Sequence, residues 1–164
     1  MKIGWVFNSK YSFNDQKFAE IFDFYVLRTP ISNISKRGIS FKERSIDVGV
    51  LVRILKKESI CLQKNWHQVK AQELERICYE NNILENVKEI KEIAIHTASR
   101  ENKTASLFYA IRCAFAHGSF SIHTYNKEKY YFLENRDKNK LKARMILKED
   151  TLLAWDNLVE RMTK

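Results

Sequence analysis

At 164 residues, 45% hydrophobic and 12% aromatic, the chain is long enough to bury one core and too apolar to remain disordered. Four Gly and one Pro argue against a turn-rich β-sandwich and for long helices. An excess of 29 Lys and Arg over 20 Asp and Glu leaves a net charge of +9, which favours a polyanionic partner such as nucleic acid.

The opening MKIGWVFNSK carries an apolar stretch too short for a signal-peptide core, and no later run reaches membrane-spanning length. Residues 13–28 predict a helix capped by Asn14, with Phe18, Ile21, Phe22 and Tyr25 on one face and Pro30 closing it. Residues 31–45 read as a connecting loop carrying Lys36, Arg37, Lys42 and Arg44. Residues 46–57 fit both periods. Ile46, Val48, Val50, Val52 and Ile54 alternate as in a strand, while Val48, Leu51, Val52 and Leu55 form a helical stripe, and helical neighbours favour the helix.

Two more helices are predicted over 68–81, from Leu74, Ile77 and Cys78, and over 83–97, from Leu84, Val87, Ile90, Ile93 and Ala94. Residues 103–117 carry Leu107, Phe108, Ile111, Ala114 and Phe115 at helical spacing, with Gly118 placed as a C-cap. The period then changes. SFSIHTY, KYYFLEN and KLKARMIL predict a three-stranded antiparallel meander over 118–148, followed by a helix from about residue 150. The expected fold is therefore mainly α, one domain spanning 1–164 with the meander inserted before the C-terminal helix. Cys61, Cys78 and Cys113 show no CxxC spacing, which predicts a reducing, cytoplasmic location rather than a disulfide framework.

Arg112 and His117 interrupt the apolar segment FYAIRCAFAHGSF, where polar side chains are costly unless paired or facing a site. His117 lies where helix C-terminal carbonyls favour a cation. One reading makes the two residues a site for phosphate chemistry. The other makes Arg112 a buried partner for a Glu and His117 a helix-end residue bonded to carbonyls. Five residue steps separate them by about 140° around an ideal helix. A shared site then needs a loosened helix end or a second copy of the chain.

The segment AIRCAFAHGSF, the YYF strand, KLKARMIL and LLAWDNLV together resemble the HEPN superfamily, over residues 105–158. They look closest to its compact plasmid- and mobile-element-associated branch. The resemblance implies an all-α bundle, a homodimer and metal-independent cleavage of single-stranded RNA, with Arg112 and His117 as the Arg-x4–6-His pair and no metal or other cofactor. It also implies a setting in defence or toxin–antitoxin conflict, with an antitoxin or nucleotidyltransferase partner. The alternative within the same family is a non-catalytic module that binds RNA, a nucleotide or an antitoxin-like protein. Cys113 departs from the polar residue that usually follows the motif Arg in active members.

Residues 118–148 hold eight Lys and Arg against three acidic side chains. Period two would place Lys140, Lys142 and Arg144 on one face as an RNA-binding stripe, with Ser119 and His123 bordering the site. Tyr125, Tyr130, Tyr131 and Phe132 could stack on bases or pack against the protein. No HExxH, P-loop, GxGxxG or GxSxG occurs in the sequence.

Overall fold

A five-stranded mixed sheet runs through the centre of the molecule, its strands in the spatial order Trp66–Val69, Ile93–Thr97, Lys140–Lys148, Glu128–Asp137 and Phe120–Tyr125. The computed structural model describes residues 2–31, 40–58 and 60–162. Its strands are β1 (Ile3–Gly4), β2 (Trp66–Val69), β3 (Asn86–Val87), β4 (Ile93–Thr97), β5 (Phe120–Tyr125), β6 (Glu128–Asp137) and β7 (Lys140–Lys148). Its helices are α1 (Gln16–Phe22), α2 (Val48–Glu58), α3 (Ile60–Asn65), α4 (Leu74–Glu80), α5 (Lys103–Ala116) and α6 (Glu149–Met162). The chain is thus α/β, and the mainly α, HEPN-like helical bundle expected from the sequence is incorrect. The meander is present as β5, β6 and β7, but it forms the greater part of a larger sheet.

The error lies chiefly in residues 83–97. The helix expected there is two strands: β3, which pairs with β1, and β4, which lies between β2 and β7. All five residues of β4 are buried. A short strand covered on both faces shows a continuous apolar run, which a helical template also accepts. The helix expected over 68–81 is likewise shorter, because Trp66–Val69 pairs in parallel with β4 before α4 begins.

Other expectations hold. Residues 48–58 are helical, and the first helix occupies its predicted place. Its cap is Asp15 rather than Asn14, accepting from the Lys17 and Phe18 amides. That helix continues as a π-helical segment over Asp23–Arg28. Of the expected loop, residues 32–39 with Lys36 and Arg37 lie outside the described residues. Arg44 is not a solvated loop residue, because its side chain is largely buried and stands 3.7 Å from Glu160.

Each sheet face carries its own core. On one, α1, the π segment, α5 and α6 pack Phe18, Tyr25, Phe108, Phe115 and Trp155 against Tyr131, Leu133 and Met145. On the other, Leu74 and Cys78 of α4, with Ile83, Val87 and Ile90, cover Phe132, Leu141 and Ile146. A buried ion pair stands on that second face, where Arg144 Nη2 lies 2.7 Å from Glu134 Oε2. Arg144 also donates to the Ile83 and Leu84 carbonyls and lies 4.6 Å from the Trp5 ring centroid.

Two buried titratable groups give the fold opposing pH dependences. Burial pushes Asp156 up to about 7, with Glu20 and Glu160 adding to the rise and Arg28 opposing it. Burial pushes His96 down to about 4. Its Nε2 accepts from Trp66 Nε1 at 2.8 Å, which leaves Nδ1 to donate to the Thr97 carbonyl. Neutral Asp156 stabilises the fold at low pH, a contribution lost as pH rises from about 4 through about 7. Neutral His96 stabilises it above pH 6.5, a contribution lost as pH falls through about 4. Asp156→Asn removes the first slope alone. Urea unfolding from pH 4 to 8 should show this variant losing stability on acidification more steeply than the wild type. An unchanged slope would refute the assignment.

Candidate functional site at the end of helix α5

Helix α5 is built to place His117 at a fixed exit. Asn102 caps its start, accepting from the Ala105 amide at 2.8 Å. Leu107, Phe108, Ile111, Ala114 and Phe115 anchor it in the core. At its end, the Gly118 amide donates to the Phe115 carbonyl at 3.1 Å and the Ser119 amide to the Ala114 carbonyl at 2.8 Å. This is a Schellman closure, with Gly118 at φ +69° as the left-handed residue. His117 is the C-cap and its side chain is exposed.

His117 opens into a cleft of about 430 Å³ with three walls. Tyr109, Cys113 and His117 of α5 form the first, spaced four residues apart along one helix face. The chain leaving β4, Thr97 to Arg100, forms the second, and Asn135, Arg136, Asp137 and Lys142 of the β6–β7 hairpin form the third. The Ser106 hydroxyl accepts from the Ser99 and Arg100 amides at 3.1 and 3.0 Å, tying the second wall to the helix. Arg100 then lies 4.1 Å from the Tyr109 ring centroid. The neighbouring Cys113 thiol is the main cause that pushes the Tyr109 hydroxyl up.

The third wall depends on a β-bulge. The register passes from Asn135↔Ala143 to Arg136↔Leu141, leaving Lys142 without an opposite residue. Beyond the bulge the alternation of faces is reversed, so Leu141 packs in the same core as Ile146. The stripe expected from Lys140, Lys142 and Arg144 therefore does not form. Lys142 lines the His117 cleft. Lys140 is exposed beside Gln72 and Glu75 in a separate depression, and Arg144 is buried against Glu134.

The remaining expected site residues separate in the same way. Arg112 is half-buried and does not line the His117 cleft. Its Nε is buried without a hydrogen-bond partner among the described residues. Ser119 is half-buried, with its backbone engaged by Ala114 and Glu134. His123 lies on the far face of the sheet, its Nε2 2.9 Å from Ser121 Oγ and its ring 4.5 Å from Phe132. Burial lowers its pKa. Tyr130, Tyr131 and Phe132 are buried and pack within the protein.

Sequence reasoning missed Arg100, Tyr109, Asn135 and Arg136. Tyr109 had a readable signal, because it shares the Cys113 and His117 spacing. Asn135 and Arg136 reach the cleft through long-range strand pairing, and Arg100 through the turn that Ser106 ties back to α5. Among the described residues, no three His, Cys, Asp or Glu side chains gather in a group that could hold a metal ion. No described helix is long and apolar enough to cross a membrane. In comparisons with known proteins, no family model matches the chain, and no curated protein or solved structure does either.

The Gly118 closure gives a direct test of how His117 is held. A Cβ at Gly118 would meet nothing within 4 Å, so the cost of Gly118→Ala comes from its backbone angle alone. Denaturant unfolding should show a loss of about 1 kcal/mol. No loss would mean that the left-handed closure is not what ends the helix.

Proposed function

We propose that this chain is an endoribonuclease that cleaves single-stranded RNA without a metal ion, through 2′-OH attack at the His117 cleft, the chemistry that its resemblance to HEPN proteins implies. The observation that carries this reading is an exposed His117 opening into a cleft where Arg100 and Lys142, together with Arg136 paired to Glu134, outnumber Asp137. Cationic groups beside a titratable imidazole suit a substrate that carries phosphate and must exchange protons. The reading does not need a helical bundle. It needs the helix end, the cations and the imidazole.

In the proposed reaction, the ribose 2′-oxygen bonds to the adjacent phosphorus and the bond from phosphorus to the 5′-oxygen breaks. His117 takes the proton from the 2′-OH or supplies one to the departing 5′-oxygen. The Arg112 guanidinium offers its fork of donors to the non-bridging oxygens as their charge rises. The products are a 2′,3′-cyclic phosphate and a 5′-hydroxyl. Because Arg112 does not line the cleft of its own chain, the proposed site takes Arg112 from a second copy in a two-fold dimer. The resemblance adds a setting in defence or toxin–antitoxin conflict and an antitoxin or nucleotidyltransferase partner.

The same separation favours a second reading, a non-catalytic module that binds RNA, a nucleotide or an antitoxin-like protein in the cleft. Activity decides between them. Purified protein with single-stranded RNA in EDTA should yield cyclic-phosphate ends. His117→Ala should lower the rate by about 10²–10⁴, and DNA, lacking the 2′-OH, should resist. Cleavage that is absent, or that persists in His117→Ala, refutes the enzyme.

Mixing tests the composite site. Arg112→Ala and His117→Ala proteins should each be inactive alone and together recover about a quarter of wild-type activity through heterodimers. No recovery would contradict a site shared between copies.

A further inference from the structure

The cleft holds more than phosphate-binding groups, and the surplus is informative. Arg100 stands over the Tyr109 ring at 4.1 Å, in a cleft of about 430 Å³. That volume lies in the range of sites enclosing a small organic molecule, such as one nucleoside. The Tyr109 hydroxyl meets both the Cys113 thiol and the Arg100 guanidinium, so Tyr109 holds Arg100 at the cleft. An arginine plane supported on an aromatic ring is one of the surfaces on which proteins stack an unpaired RNA base.

Asn135 supplies the second element. It is 9% exposed and lines the cleft from β6. Its position two residues beyond Leu133 places it on the α5 face of the sheet, before the bulge at Lys142 reverses the alternation. A primary amide carries an acceptor and donors side by side. Adenine presents a matching donor and acceptor at N6 and N7, whereas guanine presents two acceptors at O6 and N7.

We infer that Arg100 on Tyr109, with Asn135, forms a nucleobase subsite that stacks one unpaired base and favours adenine over guanine. This rests on the reading of the cleft as an RNA site, but it concerns recognition rather than bond cleavage. Arg100 supplies the stacking plane, Tyr109 is the positioning residue beneath it, and Asn135 reads the base edge. Lys142 and Arg136, on the same wall as Asn135, are left to meet phosphate.

The test measures binding and cleavage separately. His117→Ala protein, whose cleft is otherwise intact, is titrated with fluorescent single-stranded RNAs that differ by one A or G in a uridine background. The subsite predicts about tenfold tighter binding of the A-containing RNA. Introducing Asn135→Ser into that protein should reduce the preference below threefold. Introducing Arg100→Leu should weaken both RNAs together. Sequencing of the ends cut by wild-type protein should show the same base bias at one fixed position.

A preference for adenine that is lost with Asn135 supports the subsite even if wild-type protein cuts nothing. In that case only the enzyme reading fails. Cleavage with equal binding of the two RNAs overturns the subsite and leaves the enzyme standing. A preference unchanged in Asn135→Ser, or RNA affinity unchanged in Arg100→Leu, in folded proteins, also overturns it. Absence of any RNA binding overturns both.

Discussion

One carboxylate connects the two halves of this molecule. Glu134 is 5% exposed within β6, and its two oxygens face different duties. Oε2 pairs with the buried guanidinium of Arg144, which in turn holds the Ile83 and Leu84 carbonyls and the Trp5 ring. Oε1 takes the Nε of Arg136 at 2.6 Å, and Arg136 lines the His117 cleft. Removing one partner of such a buried pair costs about 3–5 kcal/mol, because the other charge is left without compensation. The backbone of Glu134 adds a third tie, with its amide donating to the Ser119 carbonyl at 2.9 Å just past the end of α5. Glu134 therefore links the layer around α4, the central hairpin and the exit of α5.

From that anchor the cleft follows as a meeting of three independently stabilised parts. Helix α5 sets His117 by its buried face and its glycine closure. The turn after β4 sets Arg100 through Ser106 and Tyr109. The hairpin sets Asn135, Arg136 and Lys142 through Glu134 and the bulge. Packed elements that carry polar side chains toward one space are the arrangement that catalysis or recognition requires.

The sequence made α5, its capping Gly118 and the meander legible because each has a local cause: an apolar stripe, a left-handed residue, an alternation between turns. It misled at β4, where a buried strand has no polar face to reveal its period. It misled again at Lys140, Lys142 and Arg144, since alternation is a reliable guide only until a bulge intervenes. Lys142 lines the cleft while Arg144, two residues on, belongs to the core. Asn135 carried no local signature, its place decided by pairing between strands distant in the sequence, and Arg100 is set by a turn that only the Ser106 and Tyr109 contacts reveal. The Arg112 and His117 spacing was read correctly as geometrically divided, and the two side chains do not share a cleft within one chain.

The central claim is that RNA occupies the space between His117, the Arg100–Tyr109 pair and the β6–β7 hairpin. Photocrosslinking of a bound single-stranded RNA containing 4-thiouridine, followed by mass spectrometry of the attached peptides, tests it most directly. The account predicts crosslinks concentrated on Tyr109, His117 and residues 135–142. Crosslinks confined to the opposite sheet face around His123, or to the exposed aromatics Tyr11 and Phe13, would contradict it.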